Sequence, residues 1–334
     1  MDENIQKLGE VVAQSSTVLV IQAENPDGDS IGSALALEQI IGEQGKTVHL
    51  YCPVNIPKYL RHLEGWDRIT NEFPNNFDVA IIVDASTTSV LDKAISGSQG
   101  AALSSKPVFV IDHHDATPDI PFRTFNIIDK TAVAAAQVVY DVAIELGWKL
   151  DTISGNAITA AIMSDSLGLI SRKTTAHTVR IIAELIEKYD VSLSDLDDAR
   201  REFGKKTREI LAYKGKLLER VEYHLDNRVA SITIPYSEIT KFSDQYNPSM
   251  LVMEELRGTE GVELAVAFKT YPDRITGKLR AYSKSSEICH KIAEEFGGGG
   301  HPFAAGFKIF DTNYDKIKSE VMNSISKHLL DDLS

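Results

Sequence analysis

The sequence is poor in cysteine and in long apolar runs, and each shortage excludes a class of protein. Its two cysteines, Cys52 and Cys289, are too few and too far apart for a disulfide framework. No apolar run approaches the ~18 residues that a membrane span requires. The N-terminal segment 1–4 lacks the basic start of a secretory signal. Together these features predict a soluble protein of the reducing cytoplasm.

The chain also has fewer basic than acidic residues, 35 against 48. Its net charge of −13 argues against a broad basic surface for long nucleic acid. A short polyanion, held by metal ions and a few basic side chains, remains compatible with this balance. The length of 334 residues predicts about two domains, and a hydrophobic content of 43% is enough for a sizeable core. A symmetric homodimer is the common default for a soluble oligomer.

The first half of the chain alternates apolar strand-like runs with amphipathic helical segments. Strands are predicted at 17–22, 46–51, 79–83, 108–111 and 125–128. Helices are predicted at 4–13, 31–41, 131–147, 152–164 and 175–189. This alternation favours an α/β fold, with a mostly parallel sheet flanked by helices and joined by right-handed crossovers. We expect this domain to span residues 1–193.

The pattern changes near residue 195. Residues 194–216 are rich in charge and predict an exposed helical connector. Beyond it, strands are predicted at 217–225, 228–234, 262–270, 277–283 and 303–310, and helices at 247–256, 286–296 and 314–330. Strands with helices set between them predict a smaller α+β domain at 217–334, and we expect a cleft between the two domains.

Acidic and imidazole side chains follow several of the predicted elements of the first domain. Open α/β sheets place their active sites at the carboxyl ends of their strands, so these side chains are expected to converge. The alternatives are ordinary turn chemistry at 25–29 and helix caps at the later positions. The joint occurrence favours one metal cluster, whose expected ligands are Asp27, Asp29, Asp84, His113 and Asp165.

This set of ligands indicates a particular metal chemistry. Carboxylates with imidazole suit a hard divalent ion of the Mn²⁺ or Mg²⁺ type, and two such ions activate water and neutralise a phosphoryl group. Asp84 is the candidate for a carboxylate that contacts both ions. His113 is expected to be a ligand, whereas His114 is better suited to contact the substrate. Asp84, His113 and His114 are therefore the candidate catalytic residues.

A second motif, at residues 297–306, contains four consecutive glycines followed by His301. Such glycines can turn their N–H groups inward and form an anion-binding nest, and His301 can donate to a phosphate oxygen. The alternative is a flexible linker, which is not usually followed by a histidine and a compact strand. Basic and hydroxyl side chains just upstream are plausible partners of a second phosphate: Arg280, Ser283 and Lys284.

These motifs, in this order, resemble the DHH phosphoesterases that carry a DHHA1 domain. The resemblance covers nearly the whole chain and is strongest to the short cytosolic nanoRNases, or oligoribonucleases, which also remove the 3′-phosphate from nucleoside 3′,5′-bisphosphates. It implies that Asp27 and Asp84 hold a first manganese ion. It implies that a second ion is held by Asp29, Asp84, His113 and Asp165. His114 would contact the scissile phosphate, and the far end of the substrate would contact Arg280, Ser283, Gly298, Gly299, Gly300 and His301.

Two departures from the family pattern bear on function. The family usually has a histidine four residues before the first motif aspartate, where this chain has Ala23. The segment after Asp165 also lacks the usual Asp-Thr-Gly motif. We therefore expect a manganese-dependent phosphohydrolase of short single-stranded oligonucleotides, linear dinucleotides or nucleoside bisphosphates. The alternative is a protein that senses nucleotides with an impaired metal centre, which the missing imidazole motivates.

Overall fold

The computed structural model describes residues 2–243, 245–281 and 287–331. The chain divides into two compact units, residues 1–205 and 206–334. Within the described residues, no helix combines the length and the apolar character needed to cross a membrane. Cys52 and Cys289 are free thiols, one in each unit.

The first unit is built on a six-stranded sheet in which all neighbouring strands are parallel. From one edge to the other, the strands are β3 (Ile69–Thr70), β2 (Thr47–Tyr51), β1 (Thr17–Ile21), β4 (Val79–Val83), β5 (Val108–Asp112) and β6 (Phe125–Ile128). Strand β4 and residues 108–111 of β5 are continuous apolar runs because both of their faces are buried. The parallel sheet predicted from the sequence is confirmed.

Helices cover both faces of this sheet. They are α1 (Glu3–Gln14), α2 (Gly28–Gly42), α3 (Thr88–Ile95), α4 (Gly97–Ser104), α5 (Ala135–Glu145), α6 (Thr152–Asp165), α7 (Ala176–Tyr189) and α8 (Leu193–Phe203). One face packs against α1, α2, α5, α6 and α7. The other packs against the short helices α3 and α4, which were not predicted from the sequence. Single 3₁₀ turns lie at Lys58–Leu60 and Trp66–Arg68.

Two glycines allow α2 to lie directly against α6. A Cβ atom on Gly28 would stand 2.4 Å from Ser164 Oγ, and one on Gly32 would stand 2.6 Å from the Ala157 carbonyl oxygen. Contacts this close require glycine, since real Cβ atoms do not approach within 3.0 Å. The crossing therefore brings the start of α2 beside the end of α6.

The strand order also fixes where a site can form. The chain runs from β1 outward to β2 on one side, and later returns to place β4 on the other side of β1. The connections that leave β1 and β4 thus diverge, which opens a crevice at the carboxyl ends of these two strands.

The second unit contains a mixed sheet. From one edge to the other, its strands are β11 (Gly299–His301), β12 (Ala304–Ile309), β10 (Ile275–Ala281), β9 (Leu264–Thr270), β8 (Val229–Pro235) and β7 (Glu222–His224). Among the described strands of this sheet, only β8 and β9 are parallel neighbours; the other pairs are antiparallel. The predicted smaller α+β domain is confirmed.

The start of this unit differs from the expectation. The predicted strand at 217–225 was wrong, because α9 (Arg208–Glu219) runs through Leu217, and only 222–224 form a strand. Leu217 lies on the buried stripe of the helix with Ile210 and Tyr213. A 3₁₀ turn lies at Pro248–Leu251. The remaining helices are α10 (Tyr236–Phe242), α11 (Met253–Arg257), α12 (Cys289–Glu295) and α13 (Tyr314–Asp331).

Candidate metal centre

Three carboxylates converge on one imidazole nitrogen in the crevice of the first unit. His113 Nε2 lies 3.4 Å from Asp84 Oδ1, 3.6 Å from Asp29 Oδ2 and 3.6 Å from Asp165 Oδ2. These side chains come from the ends of α6, β4 and β5 and from the start of α2. Residues far apart in sequence therefore form two groups that share His113 and could each hold a metal ion: Asp84, His113 and His114, and Asp29, His113 and Asp165.

His113 is held in the form that a metal ligand needs. Its Nδ1 lies 3.3 Å from the Ala132 carbonyl oxygen, and a donating Nδ1–H leaves the lone pair on Nε2. Nε2 is buried and has no hydrogen-bond partner among the described residues. Burial and the nearby charge of His114 lower the pKa of His113 to about 4. The ring is therefore neutral at physiological pH.

Asp29 is fixed by the start of α5. Its Oδ2 accepts a hydrogen bond from the N–H of Ala135 at 2.6 Å, and its Oδ1 accepts one from the N–H of Ala136 at 3.0 Å. The N-cap residue of α5, Ala134, has no side-chain oxygen, so a carboxylate from α2 does the work of a cap. Burial and the charge of Asp27 nevertheless raise the pKa of Asp29 to about 6.

Asp84 occupies an unusual backbone conformation directly after β4. Its φ of 56° lies in the left-handed region, which costs free energy for a residue other than glycine and is frequent at functional sites. The side chain is buried, and Oδ1 has no hydrogen-bond donor among the described residues. Burial and the charges of Asp29 and Asp27 raise the pKa of Asp84 well above its ordinary value.

Asp165 ends α6 and completes the group. Burial, followed by the charges of Asp29 and Asp27, raises the pKa of Asp165 to about 9. Several carboxylates that face each other without a cation repel, and a divalent cation removes that repulsion. His113 Nε2 and Asp84 Oδ1, which are buried without a hydrogen-bond partner among the described residues and lie 3.4 Å apart, fit such an ion.

His114 is held by the acid that precedes the two histidines. Its Nδ1 lies 2.7 Å from Asp112 Oδ1, which also accepts the backbone N–H of His113. Burial alone would lower the pKa of His114, but the hydrogen bond and charge of Asp112 outweigh it and raise the pKa. Burial alone would raise the pKa of Asp112, but the hydrogen bond and the charge of His114 outweigh burial and lower that pKa to about 2. Asp112 thus orients His114 and favours its protonated form.

Asp27 stands apart from the group around His113. Its Oδ1 caps α2 by accepting the N–H groups of Asp29 and Ser30, both at 3.0 Å. It is exposed, yet it is close enough to raise the pKa of Asp29, Asp84 and Asp165.

The residue at the position of the missing histidine makes apolar contacts. Ala23 is 7% exposed and packs into the smaller core of the first unit. The neighbouring carboxylate does not replace the imidazole: Glu24 Oε1 accepts the Lys93 N–H at 2.7 Å, and Oε2 lies 3.7 Å from Lys93 Nζ.

The glycine-rich motif lies in the second unit and is less open than a four-glycine nest. The N–H groups of Gly297 and Gly298 bond to the carbonyls at the end of α12. Gly299 and Gly300 belong to strand β11 and pair with β12. A Cβ on Gly298 or Gly300 would meet the backbone of β12 at 2.1 Å and 2.6 Å, so close strand packing requires both glycines.

The other residues predicted to bind substrate are placed only in part. Arg280 lies in β10, half-buried, and donates to the Leu279 carbonyl oxygen at 2.9 Å. His301 pairs with Ala304 through its backbone, and its side chain lies outside the described structure. Ser283 and Lys284 also lie outside the described residues.

Sequence reasoning missed three supporting features of the centre. Asp112 was seen only as part of the motif, although it positions His114 rather than joining the carboxylates around His113. The role of Gly32 could have been inferred from its spacing of four from Gly28, which places both glycines on one helix face. The contacts of Ala132 and of the α5 start had no local signal, because they depend on tertiary packing.

Comparisons with known proteins agree with this architecture. Residues 17–170 match the model of the DHH family, N-terminal domain, and residues 236–327 match that of the DHHA1 domain. The bifunctional oligoribonuclease and PAP phosphatase NrnA of Bacillus subtilis is 24% identical, covering 93% of this chain and 96% of its own. Its namesake in Thermus thermophilus is also 24% identical, covering 98% of this chain and 95% of its own.

Two solved structures share the fold. An exopolyphosphatase-related protein from Bacteroides fragilis superposes with a TM-score of 0.81 at 20% identity, covering 98% of this chain and 96% of its own. RecJ from Thermus thermophilus, in complex with Mn²⁺, gives a TM-score of 0.54 at 13% identity, covering 97% of this chain and 54% of its own. With a DHH domain followed by a DHHA1 domain, the chain belongs to the DHH/DHHA1 phosphoesterases, which are hydrolases of phosphoester bonds.

Proposed function

We propose that this protein is a manganese-dependent phosphohydrolase that cleaves short oligonucleotides or linear dinucleotides to mononucleotides. We propose the same centre for removal of the 3′-phosphate from nucleoside 3′,5′-bisphosphates. The observation that carries the proposal is the convergence of Asp29, Asp84 and Asp165 on His113 Nε2. The relatives named as oligoribonucleases and PAP phosphatases support the choice of substrate.

The ligands divide between two ions in this proposal. Asp29, Asp84, His113 and Asp165 would hold one ion, and Asp27 with Asp84 would hold the other. Mg²⁺ or another hard divalent ion could replace Mn²⁺, because the donors are carboxylate oxygens and one imidazole. When bound, two such ions activate a water and neutralise charge on the phosphoryl group.

The protein's own groups position the reaction. The N–H groups at the start of α5 hold the Asp29 carboxylate in place, so the ligand does not reorganise when charge develops. Asp112 favours the protonated form of His114, which can donate a hydrogen bond from its ring to a phosphate oxygen. In this scheme Asp112 acts through His114 and is a positioning residue.

The test is release of mononucleotides from a dinucleotide with and without Mn²⁺. A panel of dinucleotides, three- to five-residue oligonucleotides and nucleoside 3′,5′-bisphosphates would then rank the substrates. Activity should require Mn²⁺ and disappear in Asp84→Ala. Full activity in that variant would remove the mechanism.

A second candidate function is nucleotide sensing by a protein with an impaired metal centre. Ala23 supports it, because no imidazole stands at that position and Glu24 is engaged with Lys93. Metal stoichiometry separates the two functions. Two tightly bound ions with turnover would exclude the sensor, whereas tight nucleotide binding without hydrolysis under any divalent ion would support it.

A further inference from the structure

Three cations lie on one face of the sheet in the second unit. In β10, Ile275 and Leu279 point into the core beneath α12 and α13, so the alternate residues Lys278 and Arg280 occupy the opposite face. Lys269 of β9 pairs with Thr276 and therefore shares that opposite face. Side chains two residues apart on a strand are separated by about 7 Å. Lys269 lies beside Thr276, which is two residues before Lys278 and four before Arg280. The three cations thus form a row about 14 Å long, which we call the basic row.

The members of the basic row are partly or fully buried. Lys269 is only 8% exposed, and its Nζ donates to Asn247 Oδ1 at 2.7 Å. Within residues 206–243, 245–281 and 287–331, the structure describes no ion pair for any member of the row. The charges of Arg257 and Glu254 act on Arg280 in opposite directions, and these two side chains pair with each other at 2.8 Å.

Asn247 holds Lys269 in a defined place. Its Oδ1 also accepts the N–H and the hydroxyl of Ser249, at 3.3 Å and 2.9 Å. The amide is therefore fixed by its own turn whether or not the lysine is present. An ammonium group on a flexible stem is thus ordered against a neutral acceptor, which leaves its positive charge available to a ligand.

This arrangement is unfavourable without an anion. Burial, and then the charge of Lys278, lowers the pKa of Lys269 to about 8. Burial, and then the charge of Arg280, lowers the pKa of Lys278. Sheltered like charges cost free energy, which a bound polyanion would offset.

We propose that Lys269 and Lys278 extend the Arg280 position into a subsite for the phosphodiester backbone of a short oligonucleotide. The row binds phosphates other than the one that is hydrolysed. The identity of this anion rests on the proposed function, while the row itself rests on the sheet register and on burial. A row of this length contacts more than one phosphate, so oligonucleotides of three or more residues bind more tightly than nucleoside bisphosphates.

The experiment measures binding without turnover. Full-length protein in EDTA is titrated against a fluorescent, 5′-phosphorylated triadenylate at several salt concentrations. Lys269→Met and Lys278→Met should each weaken binding about tenfold, the loss expected for one charged hydrogen bond. Each should also reduce the slope of log affinity against log salt by about 0.7. Lys291→Met is the matched control, because α12 packs against the other face of the sheet and Lys291 is exposed.

Stability separates ligand binding from a structural role. Lys269→Met should unfold at the same temperature as the parent protein or higher, because it removes a sheltered charge. Inorganic phosphate should raise the melting temperature of the parent protein more than that of the variant. A lower melting temperature in Lys269→Met, with parental affinity for the triadenylate, would overturn the proposal.

Hydrolysis with Mn²⁺ is measured separately on a dinucleotide. Normal hydrolysis, with triadenylate affinity and salt slope unchanged in both lysine variants, would refute the basic row and leave the proposed function intact. Lysine-dependent binding without hydrolysis would support the row and refute the phosphohydrolase.

Discussion

The α2–α6 crossing gives the sharpest test of how the metal centre is built. Asp29 lies on α2 and Asp165 ends α6, so the spacing of these helices sets the spacing of two ligands. In Gly32→Ala, the new methyl would stand 2.6 Å from the Ala157 carbonyl oxygen and 2.7 Å from Ala161 Cβ. To reach an ordinary contact of 3.4 Å, the backbones must separate by about 0.8 Å.

That separation has two measurable consequences. Overpacking of this kind costs about 1–3 kcal/mol, partly offset by the gain of up to about 1 kcal/mol when alanine replaces a helical glycine. A shift of 0.8 Å also exceeds the ~0.5 Å within which a site must be held. We therefore expect Mn²⁺ affinity to fall at least about tenfold, as when supporting residues of a metal site are changed.

Gly42→Ala is the matched control on the same helix. A methyl there meets nothing within 4 Å, so only the propensity gain applies. Denaturant unfolding of the metal-free proteins and calorimetric titration with Mn²⁺ would be compared for both variants. Equal stability and equal metal affinity in the two variants would refute the claim that the close crossing sets the centre.

Three further predictions concern the chemistry of the centre. Asp84→Asn should abolish the Mn²⁺ binding that calorimetry measures. It should also raise the melting temperature of the metal-free protein, because it removes repulsion between buried carboxylates. The control Asp115→Asn, at an exposed carboxylate, should change neither quantity. His114→Gln should retain Mn²⁺ affinity but lower kcat about a hundredfold or more. Asp112→Asn should move the alkaline fall in activity to lower pH, since Asp112 raises the pKa of His114. A pH profile that does not move would contradict the role given to Asp112. The pKa of Asp165 is raised from 3.8 to about 9. Between these two pH values, the folded metal-free protein binds a proton that the unfolded chain has released, so its stability should fall as the pH rises through this range. Thermal unfolding of Asp165→Asn should show a weaker pH dependence.

Much of the first unit could be predicted because its signals are local. The apolar runs that become β1, β4 and β5 are bounded by turns and alternate with helical periodicity, so both their type and their parallel arrangement follow from the sequence. The helix over 217–219 was missed because Leu217, with its neighbours, is compatible with either a strand or a helix. Packing of Leu217 with Ile210 and Tyr213 decided between them.

The candidate residues could be named from their positions after predicted elements, but their geometry could not. The convergence on His113 depends on β1, β4 and β5 being adjacent in the sheet and on α2 crossing α6 at a glycine contact. Lys269 and Lys278 look like ordinary strand lysines until the register places them on one sheltered face with Arg280.

The sequence by itself determined the α/β class, the order of the two domains and the chemical types of the candidate ligands, because periodicity and side-chain chemistry are carried by neighbouring residues. Only the tertiary structure decided that Asp29, Asp84 and Asp165 face one imidazole and that Asp112 serves His114 instead. These relations join segments that are up to 136 residues apart. They arise from strand order and helix packing, which minimise the free energy of the whole fold rather than of any local segment.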